Sequence, residues 1–358
     1  MKVLFQCRKN LNTYAGGDRV QILATQVALK KLGIEAQLSL GEPPALDGID
    51  VVHVFNPLLV SARILKQAKI AGVPVVVSSI FWPMGEYFRA YKDFTRTLIT
   101  LRPTNWVSAS LEMGLRYLTY TYAWNPFIEH RLTHFLSQAD LVLPNSSAEG
   151  EMIESRLKVK TPWRVVPNGI DPLLKVKKMV SLPSLLKKIK NYILCVGRLE
   201  LRKNQHLLIQ ALSGIQVPLV LVGNRTVSPS YTRVCEKLAR QHNQTYFIDH
   251  LPQEALPLVY QRARVHALPS WYETPGLASL EAALAGCRIV TTSTGGPREY
   301  FGKEAFYCQP NDPGSIKNAV LQALAAPISS RLQERIKLNY TWKQTAIKTL
   351  AGYRAAQR

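Results

Sequence analysis

The chain has 358 residues, with 45 Lys or Arg against 24 Asp or Glu and a formal net charge of +21. A hydrophobic content of 47% with 19% charged residues excludes a disordered chain, and the length suits two domains better than one core. The five cysteines are scattered and form no CxxC pair, which argues against a zinc site and for a reducing compartment. The apolar run Val3 to Phe5 is too short for a signal peptide and no run reaches the length of a membrane span, so the expected location is cytoplasmic. The positive excess is uneven: residues 171–358 hold 26 of the basic residues and 11 of the acidic ones. Such an excess suits an anionic membrane surface, an anionic substrate or nucleic acid. No basic helix is interleaved with stacking aromatics, so no nucleic-acid partner is expected.

Residues 1–170 alternate strands and helices. Strands are predicted at Val3 to Cys7, Ala36 to Leu40, Val51 to Phe55 and Val73 to Ser78, with helices at about Val20 to Leu32 and Ala62 to Ile70. This order implies a parallel sheet covered on both faces. Gly16-Gly17 leaves backbone N–H groups bare at the start of the first helix, although paired glycines often only make a turn. From Met84 to Gln138 the chain is rich in Tyr, Trp and Phe with Arg89, Lys92, Arg96, Arg102 and Arg116 among them. Amphipathic helices are expected there, with one near Pro126 to Leu136. Their aromatics either fill an enlarged core or face an interface. A strand over Asp140 to Asn145 and a helix capped by Ser146 or Ser147 follow, then Arg164 to Asp171 as a strand ending in a turn. Six lysines between Lys175 and Lys190 stand among Val176, Leu182, Leu185, Leu186 and Ile189, as a solvated linker or as a segment lying on anionic lipid.

The second half opens with a strand, Tyr192 to Val196, then Gly197-Arg198 and Lys203-Asn204 before a helix to about Leu212. A glycine after a strand with cations beyond it suits a phosphate, since Arg binds bidentately and Lys as a point charge; ordinary surface charge accounts for the same pair. Strands at Leu219 to Gly223 and Thr245 to Ile248 come next. The stretch VHALPSWYETPGLASLEAALAGCRIVTTSTGGPRE, Val265 to Glu299, then gives a strand, a broken loop, a helix from Leu277 to Ala285 with Pro275 at its first position, and a strand from Arg288 to Thr292. Glu273 stands ahead of that helix and Glu281 a turn inside it. Free N–H groups of a helix start attract phosphate, so two carboxylates beside it suit the hydroxyls of ribose and sugar; each also fits a solvated or dipole-stabilising residue.

PSWYETPGLASLEAALAG resembles the E-x7-E signature of retaining, GT-B-fold glycosyltransferases of the group 1 or family 4 type, through Pro269, Ser270, Glu273, Gly276, Glu281, Ala282 and Gly286. RVVPNGID (Arg164 to Asp171), VGRLELRKN (Val196 to Asn204) and Tyr340-Thr341-Trp342 with Tyr353 resemble further motifs of that family. The resemblance implies an α/β GT-B fold, two Rossmann-like doubly wound parallel-sheet domains facing a central cleft. The implied division is an acceptor domain over 1–171, a basic linker over 172–190, a nucleotide-sugar domain over 191–338 and a helix over 339–358 that crosses back. The implied catalytic residues are Arg198, Lys203 and Glu273. Donor binding would fall to Gly16, Gly17, Gly197, Arg198, Lys203, Leu251, Glu273, Thr274, Pro275, Gly276, Leu277 and Glu281, with Glu281 on the ribose and the two cations on the diphosphate.

No metal and no cofactor is expected beyond the nucleoside-diphosphate sugar, because no Asp-x-Asp pair occurs. The implied acceptor is a glycan or a lipid-linked glycan at the inner face of a bacterial plasma membrane. Many members carry a His where this chain has Ile80, and Ser79, Glu86 or His53 are the groups that could stand in. That loss motivates an alternative, an inactive relative acting as a partner or scaffold protein.

Overall fold

A computed structural model of the chain describes residues 1–13, 16–81, 85, 94–95, 125–171, 182–240, 244–249, 251–327 and 329–358. Most of the aromatic segment and the first half of the lysine-rich one therefore lie outside the described residues. Contacts divide the chain into one unit of 1–82, 124–171 and 339–358 and a second of 83–123 and 172–338.

The first unit is built on five parallel strands: β1 (Lys2–Cys7), β2 (Glu35–Leu40), β3 (Val51–Phe55), β4 (Val75–Ser78) and β5 (Leu141–Val142), in the order β2-β1-β3-β4-β5. β3 and β4, VVHVF and VVVS, are buried at every residue, as strands covered on both faces must be. β2, at the edge, is mostly exposed, with only Ser39 buried. Helices α1 (Gly17–Lys30), α2 (Arg63–Ala71), α3 (Asn125–Leu136) and α4 (Ser147–Leu157) connect the strands. α1 starts three residues earlier than expected, directly after Gly16 in extended backbone.

Two expectations in this unit are corrected. β5 is only two residues long, because Pro144 has no N–H to continue the ladder. Arg164 to Asp171 forms no strand: Arg164 and Val166 donate to the Val142 and Pro144 carbonyls, and the run then turns away at Pro167. The turn brings Gly169 so close to the backbone of Thr341 that a Cβ there would lie 2.2 Å from its carbonyl carbon. Ile170 donates to the Tyr340 carbonyl at 2.9 Å. The last helix, which follows Thr341 and is named α13 below, thus packs against α1 in this unit, with Tyr353 fully buried. The phenol of Tyr353 meets His53 Nδ1 at 2.7 Å, while His53 Nε2 meets Ser78 at 2.9 Å. Burial alone pushes this imidazole down to about 3, so His53 is a satisfied, neutral core residue.

The second unit is a six-stranded parallel sheet of β6 (Tyr192–Val196), β7 (Leu219–Val222), β8 (Thr245–Ile248), β9 (Ala263–Leu268), β10 (Arg288–Thr292) and β11 (Phe306–Cys308). Its order is β11-β10-β9-β6-β7-β8, with the chain reversing direction across the sheet between the neighbours β6 and β9. In open sheets of this kind ligands bind beyond the carboxyl ends of the strands at such a switch point. Helices α5 (Ser184–Lys188), α6 (Gln205–Ala211), α7 (Pro229–Arg240), α8 (Leu256–Arg262), α9 (Leu277–Leu284), α10 (Pro297–Phe301), α11 (Pro313–Ala325) and α12 (Arg331–Asn339) belong here, and α13 (Trp342–Ala356) to the first unit.

Candidate active site

Two loops leave the carboxyl ends of the adjacent strands β6 and β9, one holding Gly197 to Asn204 and the other Pro269 to Gly276. They are latched together backbone to backbone and side chain to backbone. Trp271 donates its N–H to the Arg202 carbonyl at 3.0 Å. Asn204, fully buried with φ at +62°, donates its amide to the carbonyls of Pro269 at 2.9 Å and Pro310 at 2.6 Å. Asn tolerates that left-handed backbone better than most residues.

On this frame Lys203 Nζ donates to Glu273 Oε1 at 2.5 Å, and Ser270 Oγ donates to the same oxygen at 2.7 Å. Arg202 lies 3.5 Å from it and pairs with Glu200 at 3.0 Å, while Glu200 also holds Arg198 at 3.3 Å. Glu273 is 4% exposed. Burial pushes its carboxyl upward, but Lys203, Arg202 and the bonds from Lys203 and Ser270 together hold it below its ordinary value. Lys203 is pulled down by burial and by Arg202, against the opposing pull of Glu273.

The backbone of Glu273 is fixed as closely as its side chain. Gly296 donates its N–H to the Glu273 carbonyl at 3.0 Å, and a Cβ on Gly295, whose φ is +91°, would lie 2.1 Å from that carbonyl oxygen. No side chain fits there. Similarly, a Cβ on Gly223 would lie 1.9 Å from the Gly197 carbonyl, which keeps the Gly197-Arg198 turn against β7.

α9 begins at Leu277 with Gly276 as its cap at φ +68°, so Pro275 lies ahead of the helix and not at its first position. A Cβ at Gly276 would stand 3.8 Å from Glu273 Cγ, which places Glu273 beside the helix start. Thr274, Pro275 and Gly276 are buried in this approach. Glu281, further along α9, accepts from the Tyr260 hydroxyl at 3.0 Å. Burial raises its carboxyl to about 7, and the Tyr260 bond opposes that rise. Below the two carboxylates His266 is fully buried and pushed to about 3 by burial and by Lys203. It accepts from the Val196 N–H at 3.4 Å and faces Ser279 Oγ at 3.4 Å through the other nitrogen. Leu251, after β8, is buried.

In the first unit, Gly16 and Gly17 open α1, and Asp18 stands directly over them: a Cβ at Gly16 would meet Asp18 Oδ1 at 2.6 Å. Arg8 pairs with Asp18 at 2.6 Å, so this helix start already carries a carboxylate. Ile80 holds φ at +45°, an outlier for a β-branched residue. The fully buried Glu149 pins the residues on either side: it accepts from Ser79 Oγ at 2.6 Å and the Phe81 N–H at 2.7 Å, and from the Asn145 N–H at 2.8 Å. Burial raises the Glu149 carboxyl in spite of those bonds. Ser79 and His53 are both engaged structurally, and Glu86 lies outside the described residues.

The structure thus joins Gly197, Lys203, Gly276 and Glu273 in one cluster, with Arg198 tied to it through Glu200 and Arg202. Glu200, Arg202, Asn204, Tyr260, Gly295 and Gly296 are site residues that sequence reasoning missed; only Gly295-Gly296, a glycine pair ahead of Pro297, left a visible signal. Among the described residues no group of three or more His, Cys, Asp or Glu is placed to hold a metal.

One pH dependence follows. With Glu281 in the ribose-binding role that the resemblance implies, its ionised form is the stronger acceptor, so affinity for a nucleotide sugar is expected to rise with pH to a plateau above about 7. Below it, affinity should fall about tenfold per pH unit. A nucleotide sugar is the right probe because its diphosphate is doubly esterified and does not titrate there. In Glu281→Gln the slope should vanish, and in Tyr260→Phe, which loses the bond that favours the ionised form, it should move to higher pH.

Residues 181–341 match the family described as glycosyl transferases group 1. Glycogen synthase of Mycobacterium tuberculosis is 32% identical over 178 residues, 46% of this chain and 43% of that protein. The matched stretch thus spans about half the length of the curated relatives. Among solved structures, sucrose-phosphate synthase of Thermosynechococcus elongatus superposes with a TM-score of 0.74 at 17% identity over 99% of this chain and 98% of that one. Anabaena HepE in complex with UDP-glucose gives 0.67 at 18% identity, over 98% and 99%. The fold is GT-B: two Rossmann-like α/β units, each on a parallel sheet.

Proposed function

We propose that the chain, whose residues 181–341 match the glycosyl transferases group 1 family, moves a sugar from a nucleoside-diphosphate sugar to an acceptor hydroxyl, with retention at the anomeric carbon. The observation that carries this reading is the convergence of Lys203, Arg202 and Ser270 on the buried Glu273, beside the start of the helix that bears Glu281. The UDP-glucose held by a protein of the same fold supports a nucleotide sugar as donor.

In this reading Glu281 accepts from the ribose, and the backbone of Thr274 to Leu277 lies along the diphosphate. Arg198 and Lys203 stabilise the charge that develops as the nucleoside diphosphate leaves, and positioned cations can do this without a metal. Glu273 has two tasks. It accepts from hydroxyls of the transferred sugar, and it holds Lys203 in place until the diphosphate arrives. Leu251 completes the donor site of the second unit, beside the base; the donor role that the resemblance gives Gly16 and Gly17 falls in the first unit. With a carboxylate already over the α1 start, Gly16 and Gly17 would meet sugar hydroxyls better than phosphate.

The acceptor is proposed to be a glycan or lipid-linked glycan of a bacterial surface polysaccharide or glycolipid, met at the cytoplasmic face of the membrane. Among the described residues no helix is long and apolar enough to cross a membrane. The charge of +21 supports peripheral attachment to anionic lipid.

A second reading rests on Ile80: an apolar side chain in strained backbone where the family often has a His suits an inactive relative that serves as a partner protein. Slow donor hydrolysis separates the two without knowledge of the acceptor. Proton NMR of the sugar first released from UDP-, GDP- or ADP-glucose should show the donor's own anomer. The opposite anomer would contradict retention, and no release from any donor would favour the inactive relative.

A further inference from the structure

The amino-terminal edge of the second sheet carries cations that the proposed chemistry leaves unused. Lys190 and Asn191 precede β6, Arg262 and Arg264 stand at the start of β9, and Arg288 opens β10, so three neighbouring strands present this edge together. The site described above follows the opposite, carboxyl ends of β6 and β9. At about 3.3 Å per residue the two edges are some 17 Å apart.

A cavity of about 580 Å³ opens at this edge, lined by Leu182, Lys187, Lys190, Asn191, Leu258 and Arg262, with Gln261 beside them. Among the described residues no carboxylate lines it. Lys187 and Lys190 are exposed and Arg262 half-buried. Arg262 is held in place by donating to the carbonyls of Lys187 at 2.9 Å and Ile189 at 3.1 Å, so one cation of the group is preorganised. Next to it Arg264 and Arg288 donate to the Leu324 and Ala326 carbonyls at the end of α11. Burial and then the like charge of Arg264 lower the Arg288 guanidinium. Lys187, Lys190 and Arg262 thus gather like charge around the cavity, with no acidic residue in its described lining.

We propose that this cavity binds the phosphate headgroup of an anionic phospholipid and seats the second unit on the membrane surface. Lys187, Lys190 and Arg262 would surround the phosphate, with Asn191 and Gln261 as amide donors and Leu182 and Leu258 against the glycerol and upper acyl carbons. The two leucines favour a lipid over free phosphate. Among the described residues no aromatic side chain lines the cavity, which disfavours the stacked bases of a nucleic acid. The inference gives a place to the membrane attachment proposed above and rests on that part alone, not on the transfer reaction.

The test is flotation of the full chain with phosphatidylcholine vesicles, plain or with about one-third phosphatidylglycerol, comparing wild type with the exposed double variant Lys187→Glu/Lys190→Glu. A second double variant, Lys30→Glu/Lys31→Glu on α1 and the residue after it, makes the same charge change on the first unit. The expected result is wild-type binding only to the anionic vesicles, lost at least about tenfold in the first variant and by far less in the second. Melting points and nucleotide-sugar affinity should stay the same in all three. Equal loss in both variants would overturn the site in favour of diffuse charge. Failure of the wild type to bind anionic vesicles would overturn both attachment and site. Release from vesicles by millimolar inorganic phosphate, at matched ionic strength, would reassign the cavity to free phosphate. None of these outcomes touches the donor titration, which reports on the transfer reading separately.

Discussion

Lys203→Met is expected to lower transfer about a hundred- to a thousandfold, the scale seen when one preorganised charge-stabilising donor is removed from a transition state. The same substitution should destabilise the fold by about 3–5 kcal/mol, because it leaves the buried Glu273 carboxylate without its principal partner. Both effects come from one ion pair, and a second substitution separates them. In Lys203→Met/Glu273→Gln the uncompensated charge is gone, so most of the stability should return while transfer stays lost. Thermal unfolding and donor turnover on the wild type, both single variants and the double variant give the cycle. Turnover within about tenfold of wild type in Lys203→Met would remove this lysine from the chemistry. A double variant as unstable as the single would show that the loss came from packing rather than from the charge.

Gly295→Ala should be nearly as damaging although it removes no functional group. The new methyl group would fall 2.1 Å from the Glu273 carbonyl oxygen, and the backbone φ of +91° adds strain of about 1–3 kcal/mol. One of the two must move, and Glu273 sits on a loop with no spare room between Arg202, Ser270 and Gly296. A displacement of about 1 Å in a positioned group costs on the order of a hundredfold in rate. Gly286→Ala is the control, since its φ of +100° imposes similar strain while its nearest contact is only the Gln333 amide at 3.3 Å. The expected pattern is loss of stability in both variants and loss of turnover in Gly295→Ala alone. Equal turnover in the two would mean that Glu273 does not depend on this contact.

Most strands of both sheets were legible as short apolar runs, as buried parallel strands are, whereas the three-residue edge strand β11 was not predicted. Glu273 and Glu281 were legible as a spaced pair, and Lys203 as a cation after a glycine turn. Their union was not. Lys203 and Glu273 are 70 residues apart, and nothing local to either states that the two loops are latched by Trp271, Asn204 and Arg202. Tyr260 stands 21 residues before Glu281 and reads as one more buried aromatic until the fold aims its hydroxyl at the carboxylate. The helix start at Leu277 was legible, but Pro275 was not its first residue: Gly276 in left-handed backbone takes the cap. The expected strand after Arg164 failed because Pro144 opposite it has no N–H to return the bond from Val166, and Pro167 then ends the run. The roles suggested for the aromatic residues between 96 and 124 fall outside the described residues.

The central claim is that the second unit holds a nucleotide sugar with Glu281 on its ribose and Arg198 on its diphosphate. The most direct measurement is the thermal unfolding midpoint of the full chain against UDP-, GDP- and ADP-sugars, for the wild type, Glu281→Ala and Arg198→Ala. A ligand at a hundredfold its dissociation constant adds about 2.7 kcal/mol to the folded state, a shift of several degrees in a chain of this size. The account predicts such a shift with one nucleotide class in the wild type and its loss in both variants. No shift with any class, or an undiminished shift in Glu281→Ala, would contradict it.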